Sequence, residues 1–258
     1  MPQPETLPGA ASYVYKTASG RGLRLHVFTP DAPSSDVIQT RPAILFFFGG
    51  GFRKGRVSVF SERAKAFTKL GYVTALADYR VKCRDGSRLP DSLADAQSAF
   101  EWLREHAPEL NIDPQNIVLS GGSAGGYLAL ATGMLAGSDE KPAALVLFNP
   151  VVDLVSRAKP LQKIPVRAIS PNVLSKKHLP PTIIFHGVDD QIVPIHNIRA
   201  FCEQAIDKQR ICETHEYIGQ GHAFFHNHEI DPNLNISVYE DTHVKSVAFL
   251  QRQLHFHK

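Results

Sequence analysis

The chain has 258 residues, of which 43% are hydrophobic and 21% charged, an ordinary globular balance that excludes a disordered or fibrous protein. Its 28 basic and 25 acidic residues are spread along the chain and leave a formal net charge of +3, so no basic stripe offers nucleic acid a footprint. No apolar run approaches the ~20 residues that span a bilayer, and the stretch from Met1 to Glu5 lacks the regions of a secretory signal, so a soluble chain without a membrane partner is expected.

Taken in chain order, Pro2, Pro4 and Pro8 predict a frayed segment over residues 1–11. Strands follow at 12–16 and 23–28 with Ser19-Gly20-Arg21-Gly22 between them, which reads as an antiparallel hairpin at a sheet edge. Further strands are predicted at 43–48, 72–77, 116–120, 143–148, 182–186 and 213–218. Helical patterns at 60–70, 91–106, 124–135 and 195–207 lie between the later strands, and a last one covers 238–254. Strands alternating with helices imply a mostly parallel sheet of eight strands covered on both faces, in a single α/β domain over residues 1–258. Residues 152–181 carry several prolines and no clean period, and are expected to form a short lid or site-covering loop.

Motifs fall at the ends of these strands. Phe48-Gly49-Gly50-Gly51-Phe52 follows the third strand, and its glycines leave backbone N–H groups free to face a ligand. Gly121-Gly122-Ser123-Ala124-Gly125 is a G-x-S-x-G sequence between a predicted strand and a predicted helix, the context in which a serine is exposed on a sharp turn beside a helix N-terminus. The Ala124 N–H would join the loop glycines as a donor to a tetrahedral oxyanion. A phosphate-binding loop is excluded, because Tyr127 and Leu128 stand where Lys and Ser/Thr would be needed, and no placement of G-x-G-x-x-G fits.

A nucleophilic serine needs a base and an acid that orients it. Of the twelve histidines, His222 in Gly219-Gln220-Gly221-His222 sits on a connection at the carboxyl-end rim of the sheet. His26 lies mid-strand, His106 ends a helix, and His243, His255 and His257 belong to the last helix or tail. Asp189 and Asp190, just past the strand at 182–186, both qualify as the acid by spacing. The order Ser, Asp, His then matches the α/β-hydrolase order. His222, His226, His228 and Glu229 form a rival metal constellation, but their spacing matches no zinc pattern, so no metal and no cofactor are expected. Three cysteines, Cys83, Cys202 and Cys212, leave open whether Cys202 and Cys212 are bridged or are buried thiols.

These residues resemble the esterase and lipase branch of the α/β-hydrolases, close to hormone-sensitive-lipase-type and acetyl-xylan-esterase-like enzymes. The likeness covers almost the whole chain. The segment 121–126 is similar to the family's nucleophile elbow, 48–52 to its oxyanion loop, and Asp78-Tyr79-Arg80 to its D-Y-R segment. The H-G-x-x-D-x-x-V-P pattern falls on His186 through Pro194 and selects Asp190, while G-x-G-H ends on His222. The resemblance therefore implies Ser123, Asp190 and His222 as the triad and Gly50, Gly51 and Ala124 as oxyanion donors.

Two departures stand out. Phe48 occupies the place of the family's oxyanion-loop histidine, and the segment before the first strand is too short for an N-terminal cap, so an open site is expected. Phe52, Val193, Phe224 and Phe225 flank the motifs and are candidate substrate contacts.

The expected function is hydrolysis, through an acyl-enzyme, of short-chain or carbohydrate-linked acyl esters. A serine peptidase of the prolyl-peptidase type and a catalytically inactive carbohydrate-binding or interaction protein on a hydrolase scaffold are the alternatives. Relatives are often exported, so the compartment is cytoplasmic as written or external if a signal has been removed. Oligomeric state is not specified by these features.

Overall fold

The apolar runs form one eight-stranded sheet in the computed structural model, which describes residues 2–31, 40–156 and 166–254. The strands are β1 (Ala11–Ala18), β2 (Arg21–Phe28), β3 (Arg41–Phe47), β4 (Val73–Ala77), β5 (Ile112–Gly122), β6 (Ala144–Phe148), β7 (Thr182–Gly187) and β8 (Cys212–Tyr217), in the order β1-β2-β4-β3-β5-β6-β7-β8. β1 and β2 form the expected hairpin, and β2 also runs antiparallel to β4. From β4 to β8 every neighbouring pair is parallel. β4, β6 and β7 are buried along their whole length, which is why they read as continuous apolar runs rather than alternating ones.

Helices cover both faces. They are α1 (Ser61–Lys69), α2 (Lys82–Asp85), α3 (Leu89–Glu105), α4 (Ala124–Leu135), α5 (Ile195–Ile206) and α6 (Val238–Gln253). The Asp91 carboxylate accepts the Arg88 N–H at the start of α3, and the Ser237 hydroxyl accepts the Glu240 N–H at the start of α6, so both helices begin where the sequence supplies a cap. α4 is rich in Ala, Gly and Leu and almost wholly buried between the sheet and α3. Buried Arg63 of α1 joins that helix to α6, donating to the Tyr239 carbonyl and the Thr242 hydroxyl, with its guanidinium over the Phe148 and Tyr239 rings.

Of the segment expected to fray, the described residues 2–11 are docked at Gln3 and Leu7 instead. The Gln3 side chain donates to the Gly55 carbonyl and accepts the Val57 N–H, and Leu7 enters the core, so the prolines here rigidify an extended segment rather than free it. The short helix α2 escaped the sequence reading because four residues carry no periodicity. Cys202 of α5 is bridged to Cys212 of β8, while Cys83 is a free, exposed thiol.

Candidate active site

The strand order reverses between β3 and β5, because the chain steps from β3 outward to β4 and then returns to the other side of β3. At such a switch point the connections after the two central strands diverge and leave a crevice at their carboxyl ends. Here those connections are the glycine loop at 48–52 and the turn holding Ser123. Phe47 pairs with Gly121 and Gly122 with Phe148, so the carboxyl ends of β3, β5 and β6 are level.

Ser123 has φ 54° and ψ −116°, a strained backbone for a residue with a side chain. Neighbouring backbone holds it there: its N–H donates to the Phe148 carbonyl at 2.9 Å, and its own carbonyl accepts the Tyr127 N–H at 3.0 Å to begin α4. Gly125 must be glycine, since a Cβ would run into the Phe47 carbonyl oxygen. Close approach of α4 to β3 therefore sets the position of the serine.

The Ser123 hydroxyl lies 2.9 Å from His222 Nε2, and His222 Nδ1 lies 2.7 Å from Asp190 Oδ2. Asp190 is buried, and its other oxygen accepts the N–H groups of Ile192 at 2.8 Å and Val193 at 2.9 Å. A carboxylate fixed by two backbone donors leaves its remaining oxygen aimed at the imidazole, so Nδ1 carries the proton and Nε2 is the acceptor facing serine. His186, fully buried, donates from Nε2 to the Val193 carbonyl at 2.8 Å and lies 3.4 Å from Asp190. Burial pushes its imidazole below the ordinary value, so it stands beside the carboxylate as a neutral group. Asp189, the other acid allowed by spacing, is exposed, and its backbone N–H bonds the Gln220 carbonyl.

The glycine loop is braced without the histidine it lacks. Phe48 stacks on Tyr79 with ring centroids 4.0 Å apart, and the Tyr79 hydroxyl donates to the Phe48 carbonyl at 2.6 Å. The far end is held by α2, whose Lys82 N–H donates to the Phe52 carbonyl and whose Cys83 N–H donates to the Arg53 carbonyl, both at 2.9 Å. α2 is itself tied into a buried charge cluster, with Arg84 on Asp78 and Asp85, Arg21 on the same two acids, and the Val81 N–H on Asp85. Gly50, at φ 124°, leaves no room for a Cβ against the Lys54 carbonyl, which marks the tightest point of the loop.

A cavity of about 640 Å³ opens over these groups. Gly49, Gly50, Gly51, Ser123, Ala124 and His222 line one part of it, and Phe52, Leu89, Val151, Leu154, Val166 and Ile192 contribute apolar wall. Of the candidate substrate contacts, Phe52 and Phe225 are in that wall, whereas Val193 and Phe224 are not. Val193 is buried with its backbone committed to Asp190 and His186, and Phe224 turns away onto Tyr217 with centroids 5.1 Å apart. Leu154 and Val166 come from the expected site-covering stretch, whose residues 157–165 lie outside the described residues.

The rival metal constellation does not assemble. His228 pairs with Glu62 at 3.3 Å and stacks on Tyr239, while His226 packs against Phe60 and Phe225. Among the described residues no group of three His, Cys, Asp or Glu side chains is disposed to hold a metal ion, and no helix is long and apolar enough to cross a membrane. Sequence reasoning missed Asn149, which lines the cavity with its amide nitrogen 3.3 Å from His222 Nδ1 and 3.5 Å from Nε2. The Asn149-Pro150 dipeptide after a predicted strand, a turn signal at the same rim, was the available clue.

A family model described as BD-FAE matches residues 27–154. The chain is similar to Thermogutta terrifontis esterase 2, whose structure phosphorylated by paraoxon superimposes with TM-score 0.85 at 37% identity, covering 95% of this chain and 94% of that one. A butyrate-bound structure of the same esterase gives TM-score 0.83 at 34% identity, with 95% and 94% covered. Among curated proteins, Lipase 2 of Moraxella sp. (strain TA144) is 34% identical over 125 residues, 46% of this chain and 28% of its own length. The probable carboxylic ester hydrolase LipM of Mycobacterium tuberculosis is 26% identical over 220 residues, 72% of this chain and 49% of its own. The chain thus spans half or less of the length of these two curated relatives.

Proposed function

This chain belongs to the esterase and lipase family of the α/β-hydrolases, and we propose that it is a serine carboxylic-ester hydrolase acting, as one domain, on small uncharged esters through an acyl-enzyme. The observation that carries the reading is the unbroken hydrogen-bonded series from Ser123 through His222, both lining the cavity, to buried Asp190.

In the first half-reaction, Ser123 Oγ attacks the ester carbonyl carbon as its proton passes to His222 Nε2. The carbonyl oxygen becomes an oxyanion that the N–H groups of Gly50, Gly51 and Ala124 receive. Collapse breaks the carbon–alkoxy bond, and the imidazolium returns the proton to the departing alcohol. Water then attacks the acyl-enzyme by the same route, releasing the acid and restoring Ser123. Asp190 keeps the imidazole in the tautomer this needs and offsets its positive charge, without itself taking the proton.

The substrate class follows from the walls. Among the described residues lining the cavity none is Asp, Glu, Lys or Arg, and the polar side chains there are Ser123, Asn149, His222 and His226. Burying a charged substrate group here would go uncompensated, whereas an apolar acyl chain gains about 25 cal/mol per Å² removed from water. Short acyl esters of simple alcohols are therefore favoured over sugar-linked ones, whose hydroxyls would find few partners. Two measurements test this. A fluorophosphonate should label one serine per chain, mapped to Ser123 by peptide mass. A panel of p-nitrophenyl acetate, butyrate and octanoate beside acetylated xylan should show faster turnover of the simple esters; exclusive turnover of the xylan would reverse the assignment of substrate class.

A further inference from the structure

Asn149 stands at the carboxyl end of β6 with its residue fully buried and its backbone at φ 37°, where its N–H donates to the Phe185 carbonyl at 2.8 Å. A buried polar side chain in a largely apolar crevice needs a reason, because leaving its amide short of partners costs stability. Among the described residues the amide nitrogen meets one side chain, His222, at 3.3 Å from Nδ1 and 3.5 Å from Nε2, and the buried amide oxygen has no partner.

Those distances fix the geometry. The in-plane position at Nδ1 is taken by Asp190 and the one at Nε2 by Ser123. A nitrogen almost equidistant from both ring nitrogens, and lying in neither direction, rests over the face of the imidazole. Asp190 and Ser123 restrain the ring along its edge and leave tilting out of that plane free, and an amide packed on the face blocks it.

We propose that Asn149 is a positioning residue for His222, seating the imidazole so that Nε2 stays aimed at Ser123 through both proton transfers. The inference rests on the reading of Ser123 and His222 as nucleophile and base. A displacement of about 1 Å at a reacting group can cost 10²-fold in rate. Loss of the seat should therefore lower kcat by about 10- to 100-fold, with KM little changed because Asn149 is one among many cavity-lining residues.

The test separates this role from a backbone one. Asparagine tolerates positive φ, so a residue needed only for the turn would be replaced without loss by glycine. Asn149→Gly is expected to fold and to lose kcat as above on p-nitrophenyl butyrate. Wild-type kcat in that variant would overturn the proposal. Asn149→Asp keeps the shape of the side chain and places a negative charge over the ring, so the imidazolium is favoured and the acid limb of the kcat/KM profile moves to higher pH; an unmoved limb would count against the contact. Titration of the His222 ring signals by NMR, in wild type and Asn149→Asp each carrying Ser123→Ala, reads the same contact without any substrate. An upward shift there with no esterase activity in the parent protein would retain the Asn149–His222 contact while rejecting the functional reading; no shift would reject the contact itself.

Discussion

Tyr79 holds Phe48 twice, by a hydroxyl donated to its carbonyl at 2.6 Å and by a ring stacked 4.0 Å from its own. The pair braces the root of the glycine loop with an aromatic contact and one hydrogen bond, at the position where the resemblance leads one to expect a histidine. It follows that Tyr79→Phe, which keeps the stack and leaves the buried Phe48 carbonyl unpaired, should cost about 1–3 kcal/mol of stability. The looser loop should also slow turnover by about tenfold, because oxyanion donors act only when aimed. Thermal melts and steady-state kinetics check this, and a variant unchanged in both would remove Tyr79 from the account.

Two adjacent glycines of that loop should respond differently to alanine. At Gly50 a Cβ would collide with the Lys54 carbonyl, so Gly50→Ala must move the loop and is expected to reduce kcat/KM by about 10²-fold or more, the cost of one lost oxyanion donor. At Gly51, φ is 64° and nothing lies within 4 Å of the added carbon, so Gly51→Ala should cost about 1 kcal/mol of backbone strain and keep most of the activity. Equal losses at the two positions would contradict the packing described for the loop.

Much of this architecture was legible from residue types alone. Continuous or alternating apolar runs gave the eight strands: β4, β6 and β7, buried on both faces, leave a dense apolar signature, while β1 and β8, at the sheet's edges, are only partly buried. The glycines around Ser123 marked a turn too tight for side chains. Other features depend on contacts between distant segments. Asp190 and Asp189 differ by one position, and only the resemblance separated them; burial and the N–H groups of Ile192 and Val193 then set Asp190 apart. Val193 and Phe224 looked like pocket residues because they flank motifs, yet proximity in sequence says nothing about the direction a side chain takes. Asn149 and Tyr79 act through contacts 73 and 31 residues away along the chain, beyond the reach of any local pattern.

The bridge between Cys202 and Cys212 closes a short loop, at a separation of 10 residues, between α5 and β8. Thiol titration of the denatured, unreduced protein should find the single thiol of Cys83, and all three cysteines after reduction. Replacing both partners by alanine should lower stability by about 3 kcal/mol, the loop-closure entropy of a cross-link of this length. Three thiols before reduction would refute the bridge.

Acid should destabilise the fold through His26. Burial, aided by the positive charge of Arg24, lowers this histidine from 6.5 to about 4, and its Nδ1 pairs with the Ser12 hydroxyl at 2.8 Å. The unfolded chain takes up the proton near pH 6.5 while the folded chain resists it to about pH 4. Stability present above pH 6.5 is thus lost as pH falls across that window, at up to about 1.4 kcal/mol per pH unit for one group. His243, lowered to about 4 chiefly by burial, adds to the same slope. Urea midpoints at stepped pH should show His26→Gln losing about one proton of linkage relative to wild type. An identical slope would place the acid sensitivity elsewhere.

The role of Ser123 is the centre of the account, and turnover of p-nitrophenyl butyrate by Ser123→Ala tests it most directly. With the melting temperature within a few degrees of wild type, the account predicts a fall in kcat of about 10⁴-fold or more, the loss seen when a triad nucleophile is removed. A folded Ser123→Ala protein that still turned the ester over within tenfold of wild type would contradict it.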